Sequence, residues 1–119
     1  MGEEIPMKMV IAYVQSVMAP EVVDALHALP EVTGATFIRA QGFGRGRGKG
    51  STAATEGEFI GTRAKVRVEV LVPDTVVEDV IRAISTAART GNPGDGKICV
   101  TGVEHVVRIR TGEEDGQAI

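Results

Sequence analysis

The chain is poor in the residues that make aromatic cores, disulfides and membrane spans. Aromatic residues are 3% of it, with no Trp and one Tyr, so the core has to come from Val, Ile, Leu and Ala, which supply most of the 43% apolar content. One cysteine, Cys99, excludes an intramolecular disulfide and suits a reducing compartment. As a small side chain among apolar neighbours, it is expected to be buried. No apolar run approaches the roughly 20 residues of a membrane span, and Glu3 and Glu4 near the start carry the wrong charge for a secretory leader. A soluble cytoplasmic protein with no direct membrane insertion is expected. The net charge of −3 is wrong for a protein whose whole business is to coat nucleic acid. No Ser/His/Asp, Cys/His or paired-carboxylate set stands out, which argues against an enzyme. The two histidines, His27 and His105, have no partner at metal-ligand spacing, so neither a metal site nor a catalytic residue is expected.

What is present, in 119 residues, suits one domain. Met7 to about Gln15 is nearly all apolar and predicts a strand buried on both faces. Pro20 to Leu29 carries Val22, Val23, Leu26 and Leu29 at helical spacing, with Pro20 in the first turn and Pro30 as the stop. A second strand is predicted from about Thr33 to Gln41. A third alternates, with Val66, Val68, Val70 and Val72 against Lys65, Arg67, Glu69 and Leu71. A second helix starts at Pro73-Asp74, and Val76 or Val77, Val80, Ile81 and Ile84 mark its buried face. Thr90-Gly91-Asn92-Pro93-Gly94 breaks it, a fourth strand begins at Lys97, and His105 to Ile109 predicts a short final strand. Between the second and third strands, from about 42 to 61, Gly and short polar residues alternate with Arg45, Arg47 and Lys49. Such a stretch has little area to bury against its ordering entropy. A mobile loop this long in a small domain is usually functional. The tail, 111–119, is polar and acidic.

The two halves echo each other: a Val-rich strand leads into Pro20-Glu21-Val22-Val23-Asp24 in one and into Pro73-Asp74, Val76-Val77-Glu78-Asp79 in the other. A split β-α-β pair of this kind predicts a ferredoxin-like α+β sandwich, one antiparallel sheet covered by two helices. The uncovered face of the sheet predicts self-association.

Three segments could carry chemistry. In Gly91-Asn92-Pro93-Gly94-Asp95-Gly96-Lys97, glycines expose backbone N–H groups that can converge on a phosphate, and Lys97 adds a point charge. The spacing matches the first part of a Walker A motif, but Ile98 stands where Ser or Thr would hold magnesium, and the order is helix to strand. An ordinary Gly/Pro turn is the competing reading. Arg108 and Arg110, one residue apart on a predicted strand, share a face and suit an anion; the alternative is a solvated pair neutralised by Glu113, Glu114 or Asp115. Gly42-Phe43-Gly44-Arg45, at the root of the long loop, allows close approach to a ligand or simply gives flexibility. Gly44 to Gly50 also looks like an RG-type nucleic-acid segment, although only Phe43 and Phe59 could stack on bases.

Thr90-Gly91, then Gly94-Asp95-Gly96-Lys97-Ile98, then Val107-Arg108-Ile109-Arg110-Thr111-Gly112-Glu113-Glu114-Asp115 closely resemble the C-terminal signature of the P-II signal-transduction family. Gly42-Phe43-Gly44-Arg45 looks like the motif at the base of that family's T-loop. Val32 to Thr36 and Lys65 to Val70 also fit. The resemblance covers about Met7 to Ile119 and implies a homotrimer binding ATP or ADP, with magnesium possible beside ATP, in clefts between subunits. It places Gly94, Asp95, Gly96 and Lys97 around the phosphates and brings Arg108 and Arg110 from the adjoining subunit. Thr36 and Leu71 fall near the adenine, Thr90 near the ribose or base, and Gly44 near the phosphates. It further implies that the nucleotide sets the T-loop conformation, which docks on a transporter or enzyme.

The sequence departs from that pattern in the loop. Gly46 replaces the Gln that helps hold magnesium and 2-oxoglutarate, while Lys65, matching a lysine that pairs with 2-oxoglutarate, is kept. Glu58 replaces the Tyr that is nucleotidylated, and Glu56 a Ser that some members phosphorylate. This is the pattern of a divergent paralogue, whose relatives include proteins tied to metal-efflux and bicarbonate transport. An adenylate-sensing regulator is the leading reading, an RG-loop nucleic-acid module the second, and a slow hydrolase the third. Nucleic acid is not expected as the partner.

Overall fold

The computed structural model describes residues 5–45 and 59–119. Four strands, β1 (Met7–Gln15), β2 (Thr36–Gly42), β3 (Arg63–Pro73) and β4 (Gly96–Val103), form one sheet in the order β2-β3-β1-β4, every neighbour antiparallel. Helices α1 (Ala19–His27) and α2 (Val77–Ala88) lie on one face. This is the ferredoxin-like α+β sandwich expected from the split repeat. Both helices are entered through a short 3-10 turn, Ser16–Met18 and Asp74–Val76. Acidic residues sit in their first turns, Glu21 in α1 and Glu78 and Asp79 in α2, where they meet the positive helix end.

The core is what the Val-rich alternation dictates. Val10, Ala12 and Val14 of β1 and Val66, Val68, Val70 and Val72 of β3 point toward Val22 and Leu26 of α1 and Val77, Val80, Ile84 and Ala88 of α2. β-branched side chains fit a pleated surface with few rotamers to lose. Among the described residues no buried side-chain polar atom lacks a partner.

Four expectations are corrected. β1 is buried on one face only; Met9, Ile11 and Tyr13 alternate with its core residues and stay partly exposed, because helices cover only one side. Cys99 is exposed: in register with Ile11 on edge strand β4, it points to the uncovered face. The second strand begins at Thr36, not Thr33. His105 to Ile109 is not a strand; among the described residues a bridge from Val107 to Glu114 closes an irregular turn that pairs with no sheet edge. Most of the expected long loop, residues 46–58, lies outside the described residues, and with it Gly46, Glu56 and Glu58.

Candidate functional site

The uncovered face of the sheet is read directly from the register. Its rows run Ala40–Lys65–Gln15, Ile38–Arg67–Tyr13–Lys97, Thr36–Glu69–Ile11–Cys99 and Leu71–Met9–Thr101. Four of the residues singled out from sequence, Thr36, Lys65, Leu71 and Lys97, therefore share one face. They do not share one point: Leu71 is six residues from Lys65 along β3, about 20 Å at strand rise. In the middle of the face Arg67 pairs with Glu69 (2.9 Å), donates to the Tyr13 hydroxyl (2.8 Å) and lies 5.6 Å from that ring's centre, so its charge is balanced within the chain.

At the Gln15–Lys65 end of this face stands the loop 90–97. Its organiser is Asp95. The carboxylate accepts from the Thr90 hydroxyl, the backbone N–H of Thr90 (2.8 Å) and of Gly91 (2.9 Å), and the Gln15 side-chain amide (3.1 Å). The Thr90 hydroxyl, followed by its own N–H, is foremost in holding that carboxyl below the ordinary Asp range; the Gly91 and Gln15 bonds add to this and desolvation opposes it. Lys65 donates through Nζ to the Gly94 carbonyl (2.8 Å), so β3 and β1 both hold the loop from the face where Lys97 emerges.

Glycine is required by the path of this loop. At Gly96 the backbone has φ +109, and an added Cβ would stand 1.7 Å from the Tyr13 carbonyl oxygen. At Gly94, φ +93, a Cβ would come within 4.0 Å of the Lys65 ammonium. The result is a bare backbone cradle with two lysines beside it. Two lysines beside backbone without side chains offer positive charge and close approach to an anion with several oxygens, such as a polyphosphate.

The arginines are placed differently from the strand reading. Arg108 and Arg110 lie in a tight turn in which Arg108 N–H donates to Glu113 O and Gly112 N–H to Arg108 O, both 2.8 Å. They share a turn, not a strand face, because Gly112, at φ +75, reverses the chain. Arg108 sits 3.9 Å from Glu113, and Ile109 between the arginines is fully exposed.

At the loop root, Gly44 is two residues past β2 with open space where a Cβ would be. Gln41 Oε1 accepts from Phe59 N–H and from the Thr62 hydroxyl (3.2 Å), joining the two legs. Sequence reasoning missed Gln15 and Gln41: neutral amides carry no compositional signal, and only the register brings Gln15 beside Lys65 and Gln41 beside Ala64.

Among the described residues no group of three His, Cys, Asp or Glu side chains could hold a metal ion. No helix there is long and apolar enough to cross a membrane.

Residues 7–113 match the family described as Nitrogen regulatory protein P-II. Nitrogen regulatory protein P-II of Azospirillum brasilense is 44% identical over 113 residues, 95% of this chain and all of the relative. The protein of the same name from Rhodospirillum rubrum is 40% identical over the same span. Nitrogen regulatory protein P-II 1 of Escherichia coli K12 is 43% identical over 98 residues, 81% of this chain and 88% of the relative.

Proposed function

The chain belongs to the nitrogen regulatory P-II family, a family of regulatory signal transducers rather than enzymes, and from that premise we propose that it is a cytoplasmic trimeric sensor of adenine nucleotides. In this reading ATP or ADP lies in clefts between subunits and sets the T-loop, which regulates a transporter or enzyme. The observation that carries the reading is the preorganised loop 90–97. Its carboxylate is already saturated by four protein donors, its backbone admits no side chain at Gly96, and Lys65 and Lys97 stand beside it.

Lys97 supplies positive charge to the phosphates, and Gly94 and Gly96 let them approach the backbone. Asp95 acts by shaping the loop rather than by touching the ligand, and Thr90 acts with it. Arg108 and Arg110 are proposed to close on the phosphates from the adjoining subunit, Thr36 and Leu71 to stand at the base end, and Gly44 to border the phosphates. Calorimetry is the test. Replacing Lys97 or Arg108 by Ala is expected to weaken ATP and ADP binding by about 1.5–3 kcal/mol each, the range for a hydrogen bond to a charged group. Unchanged affinity in both variants contradicts the assignment.

The same reading makes 2-oxoglutarate a weak signal. A dicarboxylate beside the nucleotide phosphates needs a cation between them, and that cation needs oxygen ligands. Gly46 offers none from a side chain, which leaves Lys65, whose ammonium also donates to the Gly94 carbonyl. A single partly exposed ion pair is worth only about 0–1 kcal/mol. Titration of 2-oxoglutarate into the protein with magnesium and ATP is expected to show no binding in the tens-of-micromolar range; saturation there overturns this part of the reading. Glu56 and Glu58, at the positions where the resemblance puts modified residues, extend the proposal to a regulator without the usual covalent switch.

A further inference from the structure

Glu113 organises the turn that carries Arg108 and Arg110. Its main chain helps close the turn: Glu113 O accepts from Arg108 N–H (2.8 Å), and Glu113 N–H donates to the Thr111 hydroxyl oxygen (3.2 Å). Its carboxylate faces two side chains through one oxygen. Oε1 accepts from the Thr111 hydroxyl (2.8 Å) and lies 3.9 Å from Arg108 Nε. The first contact is a hydrogen bond that ties the carboxylate to the turn. The second is an ion pair beyond hydrogen-bond reach, so it steers the guanidinium by charge.

The atom that meets the carboxylate decides what Arg108 can offer. A guanidinium is a planar fork, with one N–H on Nε and the other four on its two terminal nitrogens. A carboxylate on the Nε side holds the plane near its base and leaves the terminal nitrogens, which make paired bonds to a phosphate, to an incoming anion. Arg110, two residues on, has no hydrogen bond or ion pair among the described residues. The turn thus orients one arginine and leaves the other to longer-range attraction.

We propose that Glu113 is a positioning residue that sets the Arg108 guanidinium for a polyphosphate, adding to affinity without touching the ligand. The effect on binding rests on the role proposed above for the arginines; the orientation of Arg108 does not. A carboxylate beside an anion-binding arginine also repels the anion, so the two effects have to be weighed. The steering acts at 3.9 Å. A phosphate bonded to the terminal nitrogens lies on the far side of the guanidinium, several ångströms farther from Oε1, and Glu113 is 46% exposed, so solvent and salt screen the repulsion. Arginine has one of the largest rotamer entropies to lose when it closes on a ligand, and a pre-set guanidinium has less left to lose. Orientation therefore outweighs repulsion.

Glu113→Gln is the test, because Gln keeps an oxygen for the Thr111 hydroxyl and the main-chain bonds of the turn but carries no charge. NMR relaxation of the arginine Nε–H groups in the full-length protein without ligand reads the orientation. Arg108 is expected to be more ordered than Arg110 in the wild type and to fall to the Arg110 level in Glu113→Gln; equal order of the two in the wild type overturns the proposal. Calorimetry with ADP reads the consequence. Glu113→Gln is expected to bind about two- to fivefold more weakly, the range that one exposed pair supports. Combined with Arg108→Ala it should bind no more weakly than Arg108→Ala alone. Unchanged or tighter binding in Glu113→Gln overturns the proposal, because the carboxylate is then no help or a net repulsion. An equal loss with and without Arg108 overturns it as well, because Glu113 then acts on the whole turn. Wild-type affinity in Arg108→Ala contradicts the arginine assignment instead, and the relaxation result then decides the orientation by itself.

Discussion

Gly96 occupies a position that a methyl group cannot share with the Tyr13 carbonyl, and its φ of +109 lies where L side chains rarely go. Relief requires β4 to move away from β1 at the Val14–Gly96 pair, where the loop enters the sheet. Gly96→Ala is therefore expected to cost about 3 kcal/mol or more in urea unfolding, combining left-handed strain with a main-chain collision. A loss below about 1 kcal/mol, the middle of the ordinary distribution, would show that the strand edge yields easily. Asp95 works at the same scale by a different route: it holds the loop through acceptors rather than through excluded volume. Chemical type in both cases was visible from the sequence as Gly-Asp-Gly. The reason for it was not, because Tyr13 and Gln15 come to these residues only after β1 and β4 pair.

Among elements, the loop 90–97 and the turn 106–114 behave as two separately organised pieces, each with a carboxylate at its neck. For the loop, the sign of the pH response follows from Asp95. Its carboxyl is held below the ordinary Asp range when folded, so its bonds contribute fully above the unfolded value and are lost as pH falls through the lowered one. Acid should therefore release Thr90 and Gly91, and their amide protection should fall on acidification below the usual carboxylate range. In Asp95→Asn, which keeps an acceptor but no charge, protection should already be reduced at neutral pH. Equal protection in the two proteins would remove the carboxylate from its role.

For the whole molecule, the decisive feature is a sheet with one face packed and the other open. Met9 and Ile11 stay partly exposed in the middle of that open face, with Ile38, 42% exposed, beyond β3 on the edge strand β2. Arg67, Glu69 and Tyr13 satisfy one another there, so apolar contact with another copy need not leave a charge unpaired. A trimer is the expected assembly. Light scattering at micromolar concentration should give three copies for the wild type, and Ile11→Asp should shift it to the monomer with its circular dichroism retained, since Ile11 is not part of the buried core. A wild-type monomer would remove the inter-subunit cleft, and with it the proposed route by which Arg108 and Arg110 reach a ligand.

The amino-acid order by itself determined the four strands and two helices of the sheet layer and the packing face of β3 and of both helices. Valine at every second position of 66–72 and the helical spacing of Val22 and Leu26, and of Val80 and Ile84, are local periodicities, and hydrophobic burial converts them into a sheet with two helices on one side. The Gly-rich cradle was legible for a related reason: glycine and a neighbouring lysine are chemically distinctive wherever they fall. Tertiary structure alone decided the rest. Cys99 looked like a core residue and is exposed, because burial on an edge strand depends on which face the helices cover. Arg108 and Arg110 looked like strand partners and lie in a turn, because an alternating segment becomes a strand only if a sheet edge is there to pair with it. Gln15 and Gln41 took their roles from partners distant in the sequence, and no periodicity encodes a contact made once.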